Sequence, residues 1–151
     1  MTTTSMEELP SLKGQELGSS PWFEVTQDRV QTFAEATEDR QWIHLDVERA
    51  KRESPFGGPV AHGYLTLSLL IPLWSHVLTV VDASAVVNYG LNKVRFLSAV
   101  TAGSRIRVRS ELADATKVAD DTVNLTVRHT VEIDGVDKPA AVAELIARFV
   151  W

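Results

Sequence analysis

Between residues 61 and 80 the apolar positions Leu65, Leu67, Leu69, Leu70, Ile71, Leu73, Trp74, Val77 and Leu78 leave almost no polar arc on a helical projection. A helix that is apolar all round must be enclosed by other structure, so this segment reads as a long central helix. Pro72 falls inside it. Proline lacks an N–H and crowds the carbonyl four residues back, which predicts a kink or a break. Past Asp82 the helical period gives way to alternation. Residues 86–96 read as a strand. Ile106, Val108, Ser110 and Leu112 alternate with Arg105, Arg107, Arg109 and Glu111. The longest alternation is Val123, Leu125, Val127, His129, Val131 and Ile133, closed by the hairpin signal Asp134-Gly135. Ala143, Leu145, Ala147, Phe149 and Trp151 share one face of a last strand.

Upstream, Val30, Phe33, Ala34 and Thr37 fall on one helical face, with Thr26 as a suitable N-cap and an end near Glu38. Asp46 suits the cap of a short helix over 47–52. Residues 54–59, rich in proline and glycine, read as a loop. Trp22, Phe23 and Val25 suit a brief strand. A wrapped helix followed by an antiparallel meander is an α+β layout, with the helix covering one face of the sheet. It matches the hot dog arrangement, in which a curved antiparallel sheet wraps around a long central α-helix. A lone small sheet leaves open edges, for which pairing about a two-fold axis is a common remedy.

At 151 residues the chain fits one core. The expected division is a loose N-terminal arm over 1–20 and a single domain over 21–151. The apolar share of 44% and charged share of 23% are ordinary for a globular protein. Absence of cysteine excludes disulfides, thiolate zinc sites and a cysteine nucleophile. A net charge of −5 without a Lys/Arg run leaves no nucleic-acid footprint. Residues 62–81 approach a bilayer span in length. His62, Ser68, Pro72, Ser75 and His76 make insertion costly, and a buried core helix fits better. Residues 1–20 hold no secretory signal, so a cytoplasmic protein is expected.

The candidate chemistry sits in two short stretches. Asp39-Arg40-Gln41-Trp42-Ile43-His44 puts a carboxylate and an imidazole one short loop apart. The two can converge on one water molecule, one taking its proton and the other orienting its oxygen. Asp39 equally suits a turn, and His44 a hydrogen-bonded structural position. Phe56-Gly57-Gly58-Pro59-Val60-Ala61-His62-Gly63 ends at the start of the apolar helix. The first N–H groups of a helix lack internal partners and carry partial positive charge. Glycine would let a carbonyl approach the Gly63 N–H closely, although a small residue for packing explains it as well. Ser68 is either a polar group in an apolar lining or bonded back to its own helix. His129 and His76 read as structural, and no His/Asp/Glu spacing makes a convincing metal site. In 88–96, Gly90 suggests a bulge. Lys93 and Arg95, with Arg105 or Arg107, could meet phosphates, while solvated surface explains each of them too.

Taken together, Asp39 to His44, then Phe56-Gly57, His62-Gly63, Leu65 and Ser68-Leu69, resemble the hydratase motif of MaoC-like dehydratases, a group that includes R-specific enoyl-CoA hydratases. Val94-Arg95-Phe96, Val100 and Gly103 resemble the family's strand after the central helix. The resemblance runs from about Trp22 to the C-terminus. It implies a hot dog fold, a homodimer and reversible hydration of a trans-2-enoyl thioester to the R-3-hydroxyacyl thioester. Asp39 and His44 fall on the catalytic aspartate and histidine. Gly63 falls on the residue whose N–H meets the thioester carbonyl, and Ser68 on a serine near the site. His62, Phe56 and Trp42 are expected in the substrate pocket. The family's Asn-Pro is replaced by Gln41-Trp42, so that Trp42 is expected to shape the acyl pocket. No metal or redox cofactor is implied, since CoA is part of the substrate. The rivals are a dehydratase acting on acyl-carrier-protein thioesters, an acyl-CoA thioesterase and a non-catalytic acyl-CoA-binding module.

Overall fold

The computed structural model describes residues 1–150; Trp151, expected on the last strand, lies outside them. Among the described residues, four α-helices precede most of the sheet. α1 (Gln27–Thr37) begins where the Thr26 side chain accepts a hydrogen bond from the Arg29 N–H, and it buries Val30 and Ala34. A single turn, α2 (Trp42–Leu45), occupies what the sequence suggested was loop. α3 (Val47–Glu53) starts at Asp46, whose carboxylate accepts from the Arg49 N–H.

The central helix, α4 (Gly63–Trp74), has 12 residues. It is shorter than the expected 61–80 because Pro72 sits in its last turn, where no proline N–H can reach back to Ser68. The Ser75 N–H closes the end on the Ile71 carbonyl at 3.1 Å. The apolar run beyond it becomes a strand instead, β4 (Leu78–Val80), in parallel pairing with β1 (Thr2–Thr4).

The main sheet runs β2 (Glu16–Ser19), β6 (Arg105–Ala119), β7 (Thr122–Ile133), β8 (Val136–Val150), β5 (Ala85–Phe96), with β3 (Phe23–Glu24) also on β6. All of its pairings are antiparallel. Alternation follows the sequence pattern. Val123, Leu125, Val127, His129, Val131 and Ile133 of β7 are all buried, as are Ile106, Val108, Ser110 and Leu112 of β6. The inner face of β8 is largely alanine (Ala141, Ala143, Ala147), and these small side chains leave room for α4, which packs on β6 and β8. Asp134-Gly135 joins β7 to β8, with Ile133 opposite Val136 and the positive φ, 75°, at Gly135. Leu65, Leu69, Leu70, Leu73 and Trp74 of α4 fill the space between helix and sheet, each contributing about 1.5–3 kcal/mol on full burial.

Residues 1–20 differ from the expected loose arm. Met6, Leu9 and Leu17 belong to the buried core, and the Met6 N–H donates to the Asp82 carboxylate at 2.8 Å. Three spaced apolar residues in a polar stretch were too sparse a signal to show that the segment closes one end of the core. At the opposite edge, β5 has one hydrogen-bonded neighbour, β8, and register shifts at Asn88/Gly90 and Leu91/Lys93. The first of these is the irregularity that Gly90 suggested.

Candidate active site

The site forms where three chain segments meet at the N-terminal end of α4. The first leaves α1 through Glu38, whose φ of 62° is the only positive value at a non-glycine among the described residues. That left-handed step turns the chain sharply and delivers Asp39. The second is α2, which carries His44. The third is the stretch Val60 to Gly63 that leads into α4.

His44 is buried. Its Nδ1 lies 2.6 Å from the Val60 carbonyl oxygen. A carbonyl can only accept, so Nδ1 carries the hydrogen and Nε2 is left with a lone pair. Val60 is held in turn by its N–H to the Ile43 carbonyl at 3.0 Å and by a bridge to Thr101. The Gln27 side-chain amide donates to the His44 carbonyl at 2.7 Å, anchoring α2 to α1. Burial pushes the His44 pKa below the usual histidine value. The bond to Val60 opposes that shift, a charged His62 would add to it, and the Asp39 carboxylate also opposes it.

His62 is buried against this ring, with centroids 3.7 Å apart and planes inclined by 24°. Its Nε2 lies 2.9 Å from the Asp39 main-chain oxygen and 4.0 Å from the Asp39 carboxylate. One donor atom from each of Asp39, His44 and His62 lies within 4.8 Å of the others. That separation suits a single bridging water. A shared metal ion fits less well, because near-parallel stacked rings aim their in-plane lone pairs side by side rather than at one point.

Gly63 is the first residue of α4, and no side chain caps the helix start. A Cβ at Gly63 would lie 3.2 Å from ring carbons of Phe96, so any side chain there fits only if that ring gives by a few tenths of an ångström. A cavity of about 400 Å³ opens here, lined among others by His44, Phe56, Gly63, Thr66, Phe96 and Ala140. A second, of about 330 Å³, lies between α4 and β5, with Tyr64, Ser68, Asn88, Gly90 and Leu91 in its wall.

The structure therefore brings Asp39, His44, His62, Gly63 and Phe56 to one place. The Asp39 side chain is half exposed beside the first cavity rather than in its wall. Ser68 lies in the second cavity and donates to the Tyr64 carbonyl at 2.8 Å. Trp42 lines neither cavity; the Arg49 guanidinium covers its ring at 4.1 Å. Lys93 and Arg95 are exposed on β5, away from both walls. Arg105 and Arg107 are paired with Asp134 and Glu132. Thr66 and Gln27 were missed. Thr66 stands three residues after Gly63, on the same helical face, which helical spacing could have flagged. Nothing in the sequence marks Gln27.

Residues 8–133 match the family model described as MaoC like domain. The 3-hydroxyacyl-thioester dehydratase Z of Mycobacterium tuberculosis is 46% identical over 149 residues, covering 99% of this chain and 98% of that protein. Two solved structures share the fold. The (R)-hydratase from A. caviae involved in PHA biosynthesis has a TM-score of 0.69 at 22% identity, covering 89% of this chain and 94% of that one. A 3R-hydroxyacyl-ACP dehydratase complex from Mycobacterium tuberculosis also has a TM-score of 0.69, at 16% identity, covering 93% and 97%.

Proposed function

The chain belongs to the MaoC-like dehydratase family and is a hydro-lyase, and from that premise we propose that it catalyses the reversible addition of water to a trans-2-enoyl-CoA, giving the R-3-hydroxyacyl-CoA. The observation that carries this reading is the convergence of Asp39 and His44 to within 4.8 Å beside a cavity that Gly63 also lines.

The thioester oxygen sits on the Gly63 N–H, at the positive end of α4. This draws electron density from the double bond and stabilises the enolate-like oxygen that forms. Loss of one such donor typically costs ~2.7–4 kcal/mol of barrier. A water molecule held between the Asp39 carboxylate and the His44 Nε2 attacks the β-carbon. Its O–H bond breaks, the hydroxyl joins the β-carbon, and the pair passes the proton to the α-carbon on the same face. The reverse sequence expels water. The hydroxyl and the proton that add across the double bond both come from one water molecule, so no redox partner enters the balance. The CoA arm supplies binding energy that positions the reacting end. A second copy of the chain along β5 completes a homodimer. No helix among the described residues is long and apolar enough to cross a membrane.

Purified protein should consume a short trans-2-enoyl-CoA and form the R product. Asp39→Asn and His44→Gln should each lose at least about a hundredfold in kcat while staying folded, as expected for loss of an acid/base partner. Normal turnover in both variants would end the proposal. Release of free thiol from a saturated acyl-CoA would point to a thioesterase instead. Turnover confined to carrier-protein thioesters would move the substrate class.

A further inference from the structure

We propose that His62 is the positioning residue of this site: its ring ties the Asp39 main chain to the first turn of α4 and backs the His44 imidazole, so that carboxylate, imidazole and Gly63 N–H keep one relative geometry. The inference rests on the Asp39/His44 reading and deepens it.

The sequence placed His62 in the substrate pocket. The structure buries it to 2% exposure and puts it in the wall of neither cavity. One face of its ring stacks on His44 at 3.7 Å, and the Phe33 ring lies 4.9 Å away at 54°. Substrate has no face left to touch. The groups around it are the Asp39 loop, His44 from α2 and the uncharged Phe33 from α1. Of these the Asp39 carboxylate, at 4.0 Å, and the His44 imidazole can carry charge.

Because the Asp39 carbonyl only accepts, the His62 Nε2 at 2.9 Å carries the hydrogen. In that tautomer Nδ1 is a bare acceptor, buried and without a protein partner. An orphaned buried polar atom is costly. Phenylalanine would fill the same space and stack on the same rings without that cost. What histidine adds is the Nε2–H bond to Asp39.

That bond matters because little else holds Asp39. Its side chain is 54% exposed, so packing does not fix it. It follows Glu38, a non-glycine residue in the left-handed region, which sets the chain direction but not the carboxylate position. His62 is joined covalently to Gly63, so one side chain spans from the base to the carbonyl-binding N–H. A misplacement of about 1 Å at such a site can cost a hundredfold in rate.

The test combines kinetics on the full chain with ring ¹⁵N spectra of the wild type. In the spectra His62 should be in the Nε2–H form and His44 in the Nδ1–H form. His62→Phe, checked for folding by circular dichroism, should lower kcat by about 10- to 100-fold with KM within about threefold. His62→Gln, whose amide reaches the place of Nε2, should recover a large part of that loss. Asp39→Asn combined with His62→Phe should be no slower than Asp39→Asn alone within about twofold, because His62 acts through Asp39. The proposal is overturned by an Nδ1–H tautomer at His62, by a folded His62→Phe variant at wild-type kcat, or by losses that multiply in the double variant. If His62→Phe does not fold, the tautomer and His62→Gln decide. If Asp39→Asn turns over normally, the base reading falls and the tautomer alone still judges the tie.

Discussion

The Nδ1–H of His44 donates to the Val60 carbonyl at 2.6 Å, and this one bond settles which nitrogen of the ring is free for chemistry. In the proposed mechanism Nε2 meets the water only as a lone pair, and only while the ring is neutral. Burial lowers the His44 pKa, and that effect outweighs the opposing pull of Val60 and Asp39. Protonation on the acid side should therefore remove activity with a midpoint below the ordinary histidine value of about 6.5. The ring titration of His44, followed by NMR, should run parallel to the acid limb of kcat/KM. A His44 midpoint above the ordinary value would show that the charged partner, not burial, governs the ring.

Gly63 gives an expectation with opposite signs for stability and rate. Its backbone is helical and carries no positive φ, so alanine suits the helix better by up to about 1 kcal/mol. The added Cβ meets three Phe96 ring carbons at 3.2–3.3 Å, which forces the ring to move by a few tenths of an ångström. Phe96 lines the same cavity. Gly63→Ala should thus keep its melting temperature within a few degrees and lose at least about tenfold in kcat/KM, as a displaced oxyanion donor would. A calorimetric scan beside a rate assay separates the two effects.

How far the sequence revealed the site can be traced through individual residues. Asp39, His44 and Gly63 lie within 25 positions of one another, and local rules about helix ends and short loops were enough to bring them together. Trp42 was expected in the pocket, but its ring lies under the guanidinium of Arg49 from the next helix, α3, a contact that spacing within α2 does not reveal. The role of His62 was hidden because it depends on a contact with the Asp39 carbonyl, 23 residues earlier, and a main-chain acceptor leaves no mark on composition or spacing. The fold was more legible, since alternation in β6, β7 and β8 is a property of each strand by itself. The first 20 residues escaped because Met6, Leu9 and Leu17 follow no simple period, and only tertiary packing gathers them.

His129 links the core to acid stability. It is buried on β7 beside Trp74, its Nδ1 2.9 Å from the Ser110 hydroxyl, and burial pushes its pKa down to about 3. The unfolded chain takes up a proton near pH 6.5, whereas the folded chain resists until about pH 3. The folded state is thus unpenalised above pH 6.5 and loses stability as pH falls between those values. At pH 4.5 the loss from this residue should be of order 2–3 kcal/mol, at 1.36 kcal/mol per pH unit. Replacing both partners, Ser110→Ala with His129→Leu, removes the titrating group without leaving an orphaned hydroxyl. Urea unfolding at pH 7 and pH 4.5 should show the double variant losing less stability than wild type over that interval. Equal losses would mean that carboxylates, not His129, set the acid limit.

β5 is the edge through which a second copy is expected to bind. Its free side presents Val86, Val87, Tyr89 and Leu91, each 45–56% exposed, with Phe96 at the far end 48% exposed. A 12-residue edge strand with that much apolar surface is a pairing template unless something covers it. Gly90 and Leu91 also form part of the second cavity's wall, so the partner strand would close that cavity as well as the sheet. Light scattering on purified protein should give twice the 16.7 kDa chain mass. Placing a carboxylate on the edge, Val87→Glu together with Leu91→Glu, should shift the population to monomer at micromolar concentration, because pairing would then bury unpaired charges. Turnover should fall with the dimer fraction across a dilution series. A wild-type protein of single-chain mass would show that the exposed edge serves something other than a second copy.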